Sequence, residues 1–156
     1  VVETNEILCV LGVCRSNNFK INEYTLNNEL IPDSFKELKV VHFSDLLYRT
    51  SQKEKLNDLV DEINKLQPDI IIFSGDLFNS NITYSNEDLD TLKKALKEMN
   101  ASLYKYAVIG DNDEKFIDDY KDILYESDFN LLDNKNTLLF YKDVLNYLKN
   151  ILIYMI

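Results

Sequence analysis

Residues 38–45 read L-K-V-V-H-F-S-D, and this stretch decides the fold. The run to Ser44 has a β-branched and aromatic centre, Val40 to Phe43, as suits a strand covered on both faces. An acidic residue, Asp45, stands directly behind it. The arrangement recurs twice. Ile70-Ile71-Ile72-Phe73 leads into Gly75-Asp76, and the run 104–109 leads into Gly110-Asp111-Asn112-Asp113.

Helical patterns fill the gaps. Leu56, Leu59, Val60, Ile63 and Leu66 recur at helical spacing, which predicts a helix over 51–66. Ser51 and Glu54 have capping-box spacing at its start, and Pro68 stops it. Ser85 and Asp88 predict a second cap, ahead of Leu89, Leu92, Leu96 and Met99. A third helix fits 113–126, with Phe116, Ile117, Tyr120 and Leu124 inward. Short strands at 130–132 and 137–141 flank a turn at 133–136. Upstream, 20–30 reads as extended and 31–34 as a turn.

This alternation predicts an α/β fold with a largely parallel sheet and right-handed crossovers. Ligands of such sheets sit beyond the C-terminal ends of the strands. Asp45, Asp76 and Asp111, 31 and 35 residues apart, all follow predicted strands there. Any one of them reads equally as a turn former or helix cap. Together they repel one another, and a site that gathers carboxylates usually holds a cation.

Composition narrows the rest. The 156 residues carry 17 Lys+Arg against 27 Asp+Glu, a formal net charge of −10. That balance argues against a nucleic-acid backbone or an anionic membrane surface as partner. It leaves a phosphate substrate open, because a metal reverses the local sign. Cys9 and Cys14 make neither a disulfide framework nor a four-ligand zinc site and read as inert thiols. His42, the sole histidine, excludes any scheme that needs two. Inside its strand it reads as a wall or core residue bonded to a backbone carbonyl. The ten tyrosines are scattered, as ordinary core and rim packing would have them. The run 111–122 lacks the spacing and turn glycine of a calcium loop. No apolar run reaches bilayer-spanning length. The segment 7–14 lacks a signal peptide's basic leader and cleavage site and reads as a short strand, a disordered end or an anchor stub. A cytoplasmic location is expected, with membrane association if an anchor precedes Val1.

Three ordered motifs then carry a resemblance. S-D-L-L at 44–47, P-D-I-I-I-F-S-G-D-L at 68–77 and Y-A-V-I-G-D-N-D at 106–113 resemble the D-x-H, G-D-x and G-N-H-D/E motifs of the calcineurin-like metallophosphoesterases. The lead-in at 26–45 is similar to the membrane-proximal bacterial branch of that family. The resemblance spans roughly 24–134. It implies the first half of an α/β/β/α sandwich, a phosphate ester substrate, and two metal ions that bind phosphate oxygens and activate an attacking water. By the same resemblance Asp45 is a ligand of one metal, Asp76 the bridging carboxylate, and Asp111 stands at the Asn ligand position. Asn112 occupies the catalytic His position, and Asp113 matches the residue that orients that His.

The departures fall on the chemistry. Leu47 replaces the D-x-H histidine, Asn112 cannot act as an acid near neutral pH, and no His follows it. The expectation is a degenerate, truncated homologue with lost or impaired catalysis. Asp45, Asp76 and Asp111 would hold Mn²⁺, Mg²⁺ or Ca²⁺ weakly, and Asp113 would lack its partner. Domain organisation reads as an N-terminal extension or anchor stub over 1–18, the phosphoesterase-like half over 19–141, and an atypical apolar tail over 142–156. In the tail Val144, Leu145, Leu148, Ile151, Leu152 and Met155 have helical spacing. The alternative to a phosphohydrolase is a non-catalytic interaction module, with a homodimer through the sheet face that a missing half would cover.

Overall fold

The computed structural model describes residues 6–13, 20–29, 31–139 and 151–154. Strands β1 (Glu6–Val13), β2 (Lys20–Asn27), β3 (Leu38–Ser44), β4 (Ile70–Phe73), β5 (Tyr104–Ala107) and β6 (Asn130–Leu131) form one sheet. Their order is β2-β1-β3-β4-β5-β6. From β1 to β6 every neighbour is parallel, and only β2 runs antiparallel, at the edge. The mixed α/β fold with a mostly parallel sheet is the one the alternation predicts. Of the readings of 7–14, the structure shows the strand: β1 is an internal member of the sheet. Cys14 lies outside the described residues.

Helices α1 (Lys53–Leu66), α2 (Asn86–Glu98) and α3 (Ile117–Glu126) cross between successive strands. All three pack on one face. Their buried stripes (Leu56 and Ile63, Leu92 and Leu96, Tyr120 and Ile123) meet Val41, Phe43, Ile71, Phe73 and Ala107 in the larger core cluster. Strand residues alternate faces, so Leu38, Val40, Ile70, Ile72 and Tyr106 point the other way. There a smaller cluster forms with Phe35, Leu132 and Leu139. The second face is therefore partly covered, not bare.

Several boundaries differ from the sequence reading. The first helix starts at Lys53, after a 3-10 turn at Thr50–Gln52, and its N-cap Gln52 makes no side-chain cap bond. The Ser51–Glu54 box is thus not used: the 3-10 turn already places Ser51 inside the helical run. The α2 box is real, with Asp88 N–H donating to Ser85 Oγ and Ser85 N–H to Asp88 Oδ2. Before α3, residues Glu114–Phe116 form a 3-10 turn. The fifth strand ends at Ala107, not at 109, although Val108 N–H still donates to Phe73 O. The short strands expected at 130–132 and 137–141 are β6 and β7 (Asn136–Leu139). In the tail, Ile151–Tyr154 form β8, antiparallel to β7, where helical spacing predicts a helix. Four consecutive apolar residues fit a strand as well as a helix, and pairing with β7 decides between them. Val144, Leu145, Leu148 and Met155 lie outside the described residues.

Candidate metal centre at the strand ends

Because β3, β4 and β5 are parallel, the chain leaves each at the same sheet edge, and Asp45, Asp76 and Asp111 all stand there. Backbone bonds knit the first two loops. Asp45 N–H donates to Gly75 O, Leu47 N–H to Asp76 O, and Tyr48 N–H to Leu77 O. Asp45, Leu47 and Asp76 are left-handed, with φ of 57°, 43° and 60°. Asp tolerates that region better than most side chains, whereas Leu does not. Such strain persists only where surrounding contacts over-determine it, as these three bonds do.

Two of the chain's three glycines permit the third loop to approach. Gly75 has φ +87°, and a Cβ there would lie 2.4 Å from Gly110 N. A Cβ on Gly110 would lie 2.3 Å from both Asp76 N and Asp76 Oδ1. Neither position has room for a side chain, because the neighbour in each case is backbone.

Hydrogen bonds settle what the side chains do. Asp113 is fully buried. Its Oδ2 accepts the N–H groups of Asp76 (2.8 Å) and Gly110 (3.0 Å), and its Oδ1 accepts that of Phe78 (3.1 Å). Burial pushes its pKa up, against the three N–H groups that favour the charged form. The imidazole partner of Asp113 is absent, since position 112 is Asn, and its two oxygens are satisfied by these three backbone N–H groups. Asn112 N–H donates to Asp76 Oδ1 at 3.0 Å, and Asn112 Oδ1 accepts from Ser80 Oγ at 2.9 Å. Ser44 Oγ donates to Asp45 Oδ2 at 2.6 Å. Asp111 is exposed.

His42 is also not bonded as expected. Its Nε2 lies 2.7 Å from Ser74 Oγ, a side-chain hydroxyl one residue past the end of β4, rather than from a backbone carbonyl. Burial lowers its pKa. Ser44, Ser74 and Ser80 escape the sequence reading. The only signal for the first two is their place just before or near each strand-end Asp.

The oxygen donors suit a hard cation, but they do not fit a two-metal centre. Leu47 has no donor atom, Asn112 spends its amide oxygen on Ser80, and one oxygen of Asp76 is taken by a backbone N–H. Among the described residues, no three His, Cys, Asp or Glu side chains are gathered closely enough to hold a metal ion.

Comparison with known proteins follows the same outline. A calcineurin-like phosphoesterase family model matches residues 38–154, so it extends into the segment 142–154. The chain is 33% identical over 92 residues to the uncharacterized metallophosphoesterase YkuE of Bacillus subtilis (strain 168), covering 58% of this chain and 32% of that protein. It is 28% identical over 95 residues to an uncharacterized metallophosphoesterase of Aquifex aeolicus (strain VF5), covering 60% and 34%. It is 30% identical over 95 residues to a transmembrane protein with metallophosphoesterase domain from Danio rerio, covering 60% and 21%. The chain thus matches about a third or less of the length of these relatives. No solved structure matches it significantly. Among the described residues, no helix is long and apolar enough to cross a membrane.

Proposed function

The chain belongs to the calcineurin-like phosphoesterase family, and from that premise we propose that it is a phosphohydrolase homologue without turnover of its own. The observation that carries this reading is the pair Leu47 and Asn112. One removes a metal ligand where the family motif has histidine. The other replaces an ionisable imidazole with an amide that cannot deliver a proton to a leaving oxygen. Loss of a positioned proton donor typically removes factors of about 10² to 10⁴.

What the residues retain is oxygen chemistry. Asp45, Asp76 and Asp111 share the strand-end edge without being gathered into a ready-made three-carboxylate site, so any hard cation they draw (Mn²⁺, Mg²⁺ or Ca²⁺) would be held loosely, at roughly 10⁻⁴ to 10⁻³ M or weaker. A phosphate ester would meet that edge of the sheet. The test is hydrolysis of bis(p-nitrophenyl) phosphate under saturating Mn²⁺ by the wild type and by Asp76→Ala. Neither is expected to exceed buffer. Wild-type turnover that vanishes in Asp76→Ala would reinstate a working phosphoesterase with an unfamiliar ligand set.

A second reading is a homodimer through the sheet face opposite the three α-helices. Tyr24 stands in backbone register with Val40 across the strand between them, and Val40 packs on the smaller cluster, so Tyr24 lies on the face away from the helices. Tyr24 and Leu26 are 50% and 54% exposed. Large apolar side chains left open on one face favour association, and light scattering of the eluted protein would report it.

A further inference from the structure

The turn from Gly110 to Asp113 reaches across to the loop behind β4 at several points. Asp113 takes the N–H groups of Asp76, Phe78 and its own turn's Gly110. Asn112 N–H holds Asp76 Oδ1, and its side-chain oxygen accepts the hydroxyl of Ser80. Lys115 Nζ donates to Ser80 O at 2.7 Å, so the far end of the loop is tied as well. The loop is therefore fixed at residues 76, 78 and 80 by groups that all belong to 110–115.

We infer that Asn112 and Asp113 form a clasp, independent of any cation, that positions Asp76 and the loop following it. A buried carboxylate without a counter-ion is tolerated only when its oxygens are hydrogen-bonded. Asp113 meets that condition with three backbone donors, and none of them is a group that a metal would supply. Backbone N–H groups buried at a strand end must in turn find acceptors. Asp113 and Asp76 provide them, so each side of the clasp satisfies the other. The amide at 112 adds a neutral link to Ser80 that neither needs nor repels a cation. An imidazole at that position would lack the oxygen that Ser80 uses. The inference holds whether or not the chain hydrolyses a phosphoester, because it concerns how the loops are held.

Amide hydrogen exchange followed by NMR tests it on the whole chain, in EDTA and in about 10 mM Mg²⁺, a concentration well above the range of loose sites. The amides of Asp76, Phe78, Gly110 and Asn112 are expected to be protected in EDTA, with less than about a twofold change on adding Mg²⁺. Asp113→Asn keeps only one acceptor oxygen. It should speed exchange about tenfold or more at Phe78 or at the Asp76 and Gly110 pair, while β4 amides keep their protection. Fast exchange at these four amides in EDTA, slowed only by Mg²⁺, would overturn the clasp and show that a cation holds the loops. Should Asp113→Asn fail to fold, the wild-type pattern in EDTA decides alone. A turnover result cannot stand in for either outcome, since the clasp predicts none.

Discussion

His42 is a half-buried imidazole whose Nε2 meets Ser74 Oγ at 2.7 Å, and burial holds its pKa below the ordinary 6.5. The unfolded chain therefore takes up a proton first as pH falls through 6.5. The stability linked to this group is full above that value and is lost as pH drops from there toward the folded pKa. Between about pH 7.5 and about pH 5.5 no other side chain type has an unperturbed pKa in range. Urea midpoints measured at those two values should fall on acidification, and His42→Gln should flatten the fall. An equal decline in His42→Gln would place the dependence elsewhere. Single residues are legible in the sequence where position alone matters. Asp45, Asp76 and Asp111 were legible because an acidic residue within a few positions of the end of a buried run lands on the strand-end edge of a parallel sheet. What Asp113 does was not legible, since its three donors are backbone groups, two of them more than thirty residues away. Lys105 was missed for a similar reason. Its Nζ donates to Leu96 O and Met99 O near the end of α2 and lies 4.8 Å from the Phe129 ring. Burial lowers its pKa. In the sequence it is only a lysine between two tyrosines.

Elements were legible where the pattern was long and periodic. The three helices and the three central strands all appear near their expected places, and the misreadings cluster at ends. Helix starts show why. Ser51 and Ser85 have the same spacing to an acidic residue, yet only Ser85 caps a helix. A 3-10 turn at Thr50–Gln52 shifts the first helix start past Ser51, and no local rule encodes that shift. The difference is measurable. Ser85→Ala removes the acceptor for Asp88 N–H and the hydroxyl that meets Asp88 Oδ2, and should cost about 1 kcal/mol. Ser51→Ala, at an exposed residue without a cap bond, should stay within about 0.5 kcal/mol of wild type. Equal losses in chemical denaturation would mean that the first box forms after all.

At the scale of the whole molecule the two sheet faces are held unequally. Three helices seal one face around a continuous cluster, whereas the other has the smaller group of Phe35, Leu38, Ile70, Tyr106, Leu132 and Leu139. The last of these sits on β7, whose partner among the described residues is β8, with Leu139 opposite Ile151. Stability of that face thus runs through a pairing at the end of the chain. Truncation after residue 150 removes β8 and leaves β7 as a lone four-residue strand, too short to hold its register. Leu139, 3% exposed, would then lose its fixed place. Full exposure of one such side chain costs about 1.5–3 kcal/mol. For a chain of this size that lowers Tm by roughly 3–12 °C. The helical core shares no residue with β7, so the far-UV circular dichroism of the helices should persist below the transition. Newly exposed Leu139 and its neighbours would join Tyr24 and Leu26 on the same open face, and elution should shift toward larger species as concentration rises. An unchanged Tm with an unchanged elution volume would show that the β7–β8 pair lies outside the cooperative unit and that the smaller cluster closes without it.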